Sequence, residues 1–228
     1  MLFRGGIIML DVVETFVSIN GEGMKAGQLA FFLRLKGCNL RCSYCDTMWA
    51  NDSGCEFQRC DIHDIYDEIK ASGIGNVTVT GGEPLYREGI YELLELLSKD
   101  DTLSVEIETN GSVYLAPFMS MTNRPSMTMD YKLPSSGMEK HMCSKNFDLL
   151  DMRDTVKFVS GTLEDLERAK EIIDEYGLIG KCNILFSPVF GKINAEDIVE
   201  FMKKNKLNGT AVQLQLHKYI WQPDMRGV

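Results

Sequence analysis

Seven short runs rich in β-branched, aliphatic and aromatic residues recur along the chain, with room for a helix between most of them. They are "LAFFLRL" at 29–35, "NVTVT" at 76–80, "SVEIET" at 104–109, "SMTMDYK" at 126–132, "DTVKFVS" at 154–160, "CNILFSP" at 182–188 and "AVQLQLH" at 211–217. Amphipathic segments with apolar residues three and four apart lie between them, at 61–72, 88–100, 162–177 and 194–205. A strand that is followed by a helix and then by another strand pairs in parallel, because the helix crosses back over the sheet. The alternation therefore predicts an α/β fold with mainly parallel strands. Thr162 and Asp165 have the spacing of a capping box, and Gly177 suits the residue just past a helix end.

The stretch 110–153 contains Pro117, Pro125 and Pro134 and lacks a strong helical period, so the crossover there is expected to be irregular. No repeat, low-complexity tract or Gly/Ser linker divides the 228 residues, and a single domain over 1–228 is the expectation. A formal net charge of −9 argues against the basic stripe of a nucleic-acid binder and favours a small-molecule partner. The opening "MLFRGGIIML" lacks the apolar length of a signal peptide, and no later run reaches transmembrane length. A soluble, cytoplasmic protein without a membrane partner is expected. Seven cysteines, an odd number clustered towards the N-terminus, fit reduced thiols rather than a secreted disulfide framework.

Three of those cysteines, Cys38, Cys42 and Cys45, stand in "KGCNLRCSYCDT" directly after a strand. Three thiolates on one loop can hold three irons of a cubane and leave the fourth open to a bidentate small molecule. Structural zinc is the competing reading, with Cys55 and Cys60 completing a Cys42/Cys45 set, and a cluster of ordinary buried thiols is a third. The next strand ends in "TGGEPL", where Gly81 and Gly82 permit close backbone approach to a ligand and Pro84 restricts Glu83. Both motifs lie at strand C-termini, where parallel α/β architectures collect functional residues. Arg34, a cation inside an apolar strand, needs an anion, either a ligand carboxylate or an acidic side chain such as Glu22.

The conjunction of C-x3-C-x2-C with Gly-Gly-Glu-Pro resembles the radical S-adenosylmethionine (SAM) superfamily. The phrases "SINGEG", "KGCNLRCSYCDT", "TGGEPL", "IETNGS", "MDYKLPSSG" and "LQLHKYIW" narrow this, because together they resemble the 7-carboxy-7-deazaguanine synthase family from about residue 9 onward. The resemblance implies an incomplete, modified TIM-like barrel, a 4Fe-4S cluster, SAM used catalytically, and Mg2+. It implies a carbon–nitrogen lyase that converts 6-carboxy-5,6,7,8-tetrahydropterin to 7-carboxy-7-deazaguanine with loss of ammonia, towards queuosine and other 7-deazapurines. A homodimer and an external electron donor such as flavodoxin or ferredoxin are implied as well. The alternatives are a radical SAM activase acting on a glycyl-radical enzyme and a non-catalytic zinc-binding module.

Carried over by position, Cys38, Cys42 and Cys45 would bind the cluster and Thr47 the magnesium. Ile19, Asn20, Gly21, Glu22, Arg34 and Thr80 would face the pterin. Gly82, Glu83, Glu108, Asn110, Lys132 and Ser187 would serve SAM, flanked by Tyr44 and Asp46. Where some members have Ser-Pro-Lys, this chain has Asp130 and Tyr131 before Lys132. Some members end soon after "HKY" and turn a terminal carboxylate on the substrate, whereas this chain continues to Val228. His217 is a candidate to face the substrate. Cys55, Cys60, Cys143 and Cys182 read as ordinary thiols.

Overall fold

Among the described residues nine strands form one sheet in the order β3-β1-β2-β4-β5-β6-β7-β8-β9. A computed structural model describes residues 8–228, so the first seven residues of the opening apolar run lie outside the described part. The strands are β1 Met9–Ile19, β2 Leu29–Leu35, β3 Gln58–Asp61, β4 Asn76–Gly81, β5 Ser104–Thr109, β6 Ser126–Tyr131, β7 Thr155–Ser160, β8 Asn183–Pro188 and β9 Ala211–Val212. From β2 through β9 every neighbour is parallel, while β1 runs antiparallel to both β2 and β3. The main helices are α1 Ile62–Ser72, α2 Ile90–Ser98, α4 Leu163–Glu175 and α5 Ala195–Asn205, with four-residue turns α3 Ala116–Met119 and α6 His217–Ile220.

The period of two along each strand sorts its residues onto two faces. Val77, Val79, Ile107, Met127, Met129, Val156, Phe158, Ile184 and Phe186 are buried in one apolar core shared with the inward faces of α1, α2, α4 and α5. The alternate residues Thr80, Glu108, Thr128, Asp130, Lys157 and Val159 line a cavity on the other side. Full burial of one such Phe or Leu stabilises by about 1.5–3 kcal/mol, so the outer face carries the folding energy and leaves the inner face free for polar groups.

The two ends of the sheet meet across the mouth of this partial barrel. In the β1–β2 turn, Gly23 donates its N–H to Gln213 Oε1 at 2.6 Å and accepts from Gln213 Nε2 at 2.9 Å. Leu216 N–H donates to the Gly21 carbonyl at 3.0 Å. Gln213 N–H still reaches the Phe186 carbonyl of β8 at 2.8 Å, but its side chain and the residues beyond it pair with the β1–β2 turn. That is why the strand expected over 211–217 stops at Val212.

The expected capping box at Thr162 and Asp165 is formed, and Gly177 has a left-handed φ of 58° just after α4. The β6–β7 crossover is irregular, with 3-10 turns at Pro134–Ser136, Glu139–His141 and Ser144–Leu149. Side chains supply what a helix would have satisfied. Asn146 accepts from Leu115 N–H at 3.0 Å and donates to the Val113 carbonyl at 2.8 Å. Arg124, ahead of β6, grips Asp154, ahead of β7, through two parallel hydrogen bonds of 2.8 and 2.7 Å. Among the described residues no helix is long and apolar enough to cross a membrane.

Candidate active site

The loop after β2 is held from both sides. Glu83 N–H donates to the Gly37 carbonyl at 3.0 Å, and Ser43 N–H donates to the Ser136 carbonyl at 3.1 Å. On this loop Cys38, Cys42 and Cys45 are unpaired, half-buried thiols on the wall of a single cavity of about 510 Å³. That volume suits a small-molecule site. Cys38 Sγ accepts hydrogen bonds from Leu40 N–H at 3.3 Å and Asn110 Nδ2 at 3.5 Å. Burial pushes the Cys42 thiol up to about 11; Lys132 opposes this, while Asp130 and the other two thiols add to it. Bare thiolates therefore repel one another here, and a cationic metal cluster is the chemistry that relieves them.

Cys55, Cys60, Cys143 and Cys182 are absent from the cavity wall. Among the described residues no three His, Cys, Asp or Glu side chains close on a single ion, so the zinc ribbon through Cys55 and Cys60 is not formed. A cubane differs from such a site in placing each thiolate on a separate iron.

At the end of β4 a Cβ on Gly82 would fall inside the contact radii of Asn51 Oδ1 and the Gly37 carbonyl, so only glycine fits. Gly82, Glu108, Asn110, Lys132, Tyr44 and Asp46 line the cavity beside the cysteines. Glu83 does not. It is fully buried behind the wall and accepts from Leu85 N–H at 3.1 Å, Thr109 Oγ1 at 2.8 Å and Asn110 N–H at 2.6 Å. Burial pushes its carboxyl up to about 7 against those three donors. Thr47 Oγ1 makes no capping bond to the 3-10 turn that follows it and lies 3.7 Å from Cys45 Sγ, on the cavity wall.

The opposite lobe contains Ile19, Gly21, Glu22, Arg34 and Thr80. Asn20 sits behind them, accepting from Thr78 Oγ1 at 2.8 Å. Arg34 pairs with Glu14 at 2.7 Å rather than with Glu22, because the β1–β2 register places those two side by side. Glu22 is bound instead by Lys157 Nζ at 3.1 Å, Ser187 Oγ at 2.9 Å and Gln215 Nε2 at 3.3 Å. Burial alone would raise its pKa; the Lys157 charge and these hydrogen bonds outweigh that and bring it down to about 2. Ser187, expected beside SAM, is thus found under the acid of the opposite lobe. His217 lines the cavity, with its pKa lowered chiefly by burial.

Asp130 lines the cavity and pairs with Lys132 at 2.9 Å, whereas Tyr131 turns outward against Phe147 and Phe158. Sequence reasoning missed Lys157, Trp49, the stacked pair Phe16 and Phe32, Gln215 and the tail from Pro223 to Gly227, all on the same wall, which the terminal Val228 also reaches. One of them had a legible signal: Lys157 is a cation inside an apolar strand, the same feature that singled out Arg34.

The Radical SAM superfamily matches residues 33–205. A 7-carboxy-7-deazaguanine synthase of Clostridium acetobutylicum is 56% identical over 217 residues, which is 95% of this chain and 98% of that protein. The chain belongs to the 7-carboxy-7-deazaguanine synthase family. A second such synthase, from Chlorobaculum tepidum, is 40% identical over 96% of this chain and 97% of its own. The crystal structure of QueE from Escherichia coli, 21% identical, superposes with a TM-score of 0.72 over 90% of this chain and 93% of that one, so the fold is shared. As a radical SAM enzyme, a 7-carboxy-7-deazaguanine synthase uses a 4Fe-4S cluster and SAM. The three free thiols and the Gly82 cradle, open on one cavity, suit both.

Proposed function

We propose that this chain is the lyase that converts 6-carboxy-5,6,7,8-tetrahydropterin to 7-carboxy-7-deazaguanine with release of ammonia. The observation that carries the reading is one cavity whose wall bears both the three free thiols and the Glu22–Lys157 ion pair, in a chain 56% identical to a named synthase over nearly its full length. When bound, the reduced cluster and SAM supply the one-electron chemistry that removes a hydrogen atom from the pterin.

Cys38, Cys42 and Cys45 would hold the cluster. Gly82 would let the SAM methionine approach the β4 end, with Glu108, Asn110 and Lys132 around it and Tyr44 and Asp46 flanking. Glu83 would act from behind, fixing the Asn110 backbone. Glu22 would accept a pterin N–H, Arg34 would meet the pterin carboxylate beside Glu14, and Ile19, Gly21, Thr80 and His217 would shape the pocket. Thr47, whose hydroxyl is not spent on a cap, is our magnesium ligand, shared with the substrate carboxylate. Phe16, Phe32 and Phe190 add apolar wall, which keeps water from reactive intermediates.

We further infer a single domain that works in the cytoplasm as a homodimer, reduced by an external donor such as flavodoxin or ferredoxin; family resemblance supports these points. The test is anaerobic incubation of reconstituted protein with reductant, SAM and 6-carboxytetrahydropterin, followed by mass detection. Formation of 7-carboxy-7-deazaguanine is expected. Production of 5′-deoxyadenosine with the pterin intact would reject the substrate and leave the superfamily standing.

A further inference from the structure

Lys157 sits in the middle of "DTVKFVS" between Val156 and Phe158, which point into the outer core, and is itself only 6% exposed. An ammonium taken out of water costs several kcal/mol unless anions receive it. Two do. Its Nζ lies 3.1 Å from Glu22 Oε2 and 3.7 Å from Asp130 Oδ2, and Asp130 Oδ2 is 2.9 Å from Lys132 Nζ. Charges of alternating sign thus run from the β1–β2 turn, across β7, to the end of β6. The Lys157 ammonium is fixed at both sides, so it cannot follow a ligand.

The partners of Glu22 can be counted. Oε1 accepts from Ser187 and Oε2 from Lys157 and Gln215. A carboxylate has about four acceptor positions, so one remains, on Oε1. The other charged groups facing this pair are Glu106 and Glu108 on β5, Asp130 on β6 and Lys132 just after it, and His217 in α6. Ser187 and Gln215 are neutral. Without Lys157, Glu22 would be a buried acid among carboxylates, with no cation in contact, and it would take up a proton.

We propose that Lys157 is a positioning residue for the substrate: its contact with Glu22 Oε2 keeps that carboxylate charged and turned so that Oε1 accepts an N–H of the pterin. This rests on the proposed role of Glu22 at the pterin, and the experiment separates the two.

Binding of 6-carboxytetrahydropterin is measured by anaerobic calorimetry, with SAM present, on the wild type, Lys157→Met, Glu22→Gln and the double variant. Turnover is followed in parallel. Wild-type affinity is expected to be nearly flat from about pH 8 down to about pH 5, because Glu22 stays ionised there. Lys157→Met should bind about ten- to a hundredfold more weakly and lose further affinity as pH falls through that range. On the Glu22→Gln background, adding Lys157→Met should change affinity by no more than about twofold, since the group it acts through is gone. An equal loss on both backgrounds, or a Lys157→Met profile as flat as the wild type, overturns the proposal. If Lys157→Met does not fold, Glu22→Gln against the double variant decides alone, because that pair leaves no unpaired carboxylate. A wild type that binds and turns over no pterin would instead reject the functional reading.

Discussion

The Glu83 carboxylate accepts a 2.6 Å hydrogen bond from the backbone N–H of Asn110, whose side-chain amide reaches the Cys38 thiol at 3.5 Å. Glu83 N–H also donates to the carbonyl of Gly37, next to Cys38. The ends of β4 and β5 and the start of the cysteine loop are therefore one hydrogen-bonded unit. A fully buried acid at its centre has a structural role that no contact with a ligand is needed to explain.

Glu83→Gln should destabilise the cofactor-free chain by about 1–3 kcal/mol, because an amide nitrogen is turned against donors that an oxygen now satisfies. The pH dependence gives a second signature. With the carboxyl pushed up to about 7, its contribution to stability is full below the unfolded pKa near 4.5 and is lost as pH rises through 7. Urea unfolding of the wild type should weaken from about pH 5 to 7, and that slope should flatten in Glu83→Gln. Parallel curves for the two proteins would show that Glu83 does not titrate there.

Gly82→Ala adds one carbon where Asn51 Oδ1 and the Gly37 carbonyl already stand. Neither is the free end of a flexible side chain facing solvent, so the cysteine loop has to move. Reconstituted protein should lose SAM affinity by about tenfold or more. Calorimetry with SAM checks this, and near-normal binding would mean that the loop yields at little cost.

Most of this architecture was legible because the buried strands are short apolar runs bounded by glycine or proline. β4 and β5 lie where "NVTVT" and "SVEIET" place them, and β7 and β8 begin within one residue of expectation. β1 and β3 were not. Much of β1 is half-buried on both faces, so "MLDVVETFVSI" shows no clean alternation, and the polar "QRCD" of β3 is an edge strand with little to bury. β9 failed for the opposite reason: "AVQLQLH" alternates well, but Gln213 and Gln215 spend their amides on Gly23 and Glu22. The thiol lobe could be read from one contiguous motif. The other lobe is assembled by residues as far apart as Glu22 and Lys157, 135 positions, and only the curvature of the partial barrel brings them together.

The tail carries a smaller effect. Arg226 stacks on the Trp49 ring at 3.9 Å, and Arg34 lies 6.0 Å from the same ring, so the tail is pinned over the acid–base lobe. A cation–π contact at an exposed position contributes about 0.5–1 kcal/mol. Arg226→Ala should therefore raise the KM for the pterin about two- to fivefold with kcat nearly unchanged, and should speed proteolytic nicking after Trp221. Unchanged KM with faster nicking would place the tail outside the binding step.

The seven thiols divide by position, and so should their chemistry. Cys38, Cys42 and Cys45 share the cavity wall, while Cys182 is 3% exposed in the apolar core and Cys55, Cys60 and Cys143 lie elsewhere. Burial pushes Cys182 up to about 11, which leaves it protonated and unreactive at neutral pH. Cys42→Ala is expected to abolish cluster binding, read as loss of iron and of absorbance near the thiolate-to-iron bands, because two thiolates do not hold a cubane. Replacing Cys55, Cys60 and Cys143 together by serine should leave iron content and spectrum as in the wild type. If the triple variant lost iron in proportion, a second cluster would be needed to account for it; if Cys42→Ala kept its iron, the three-cysteine assignment would fail.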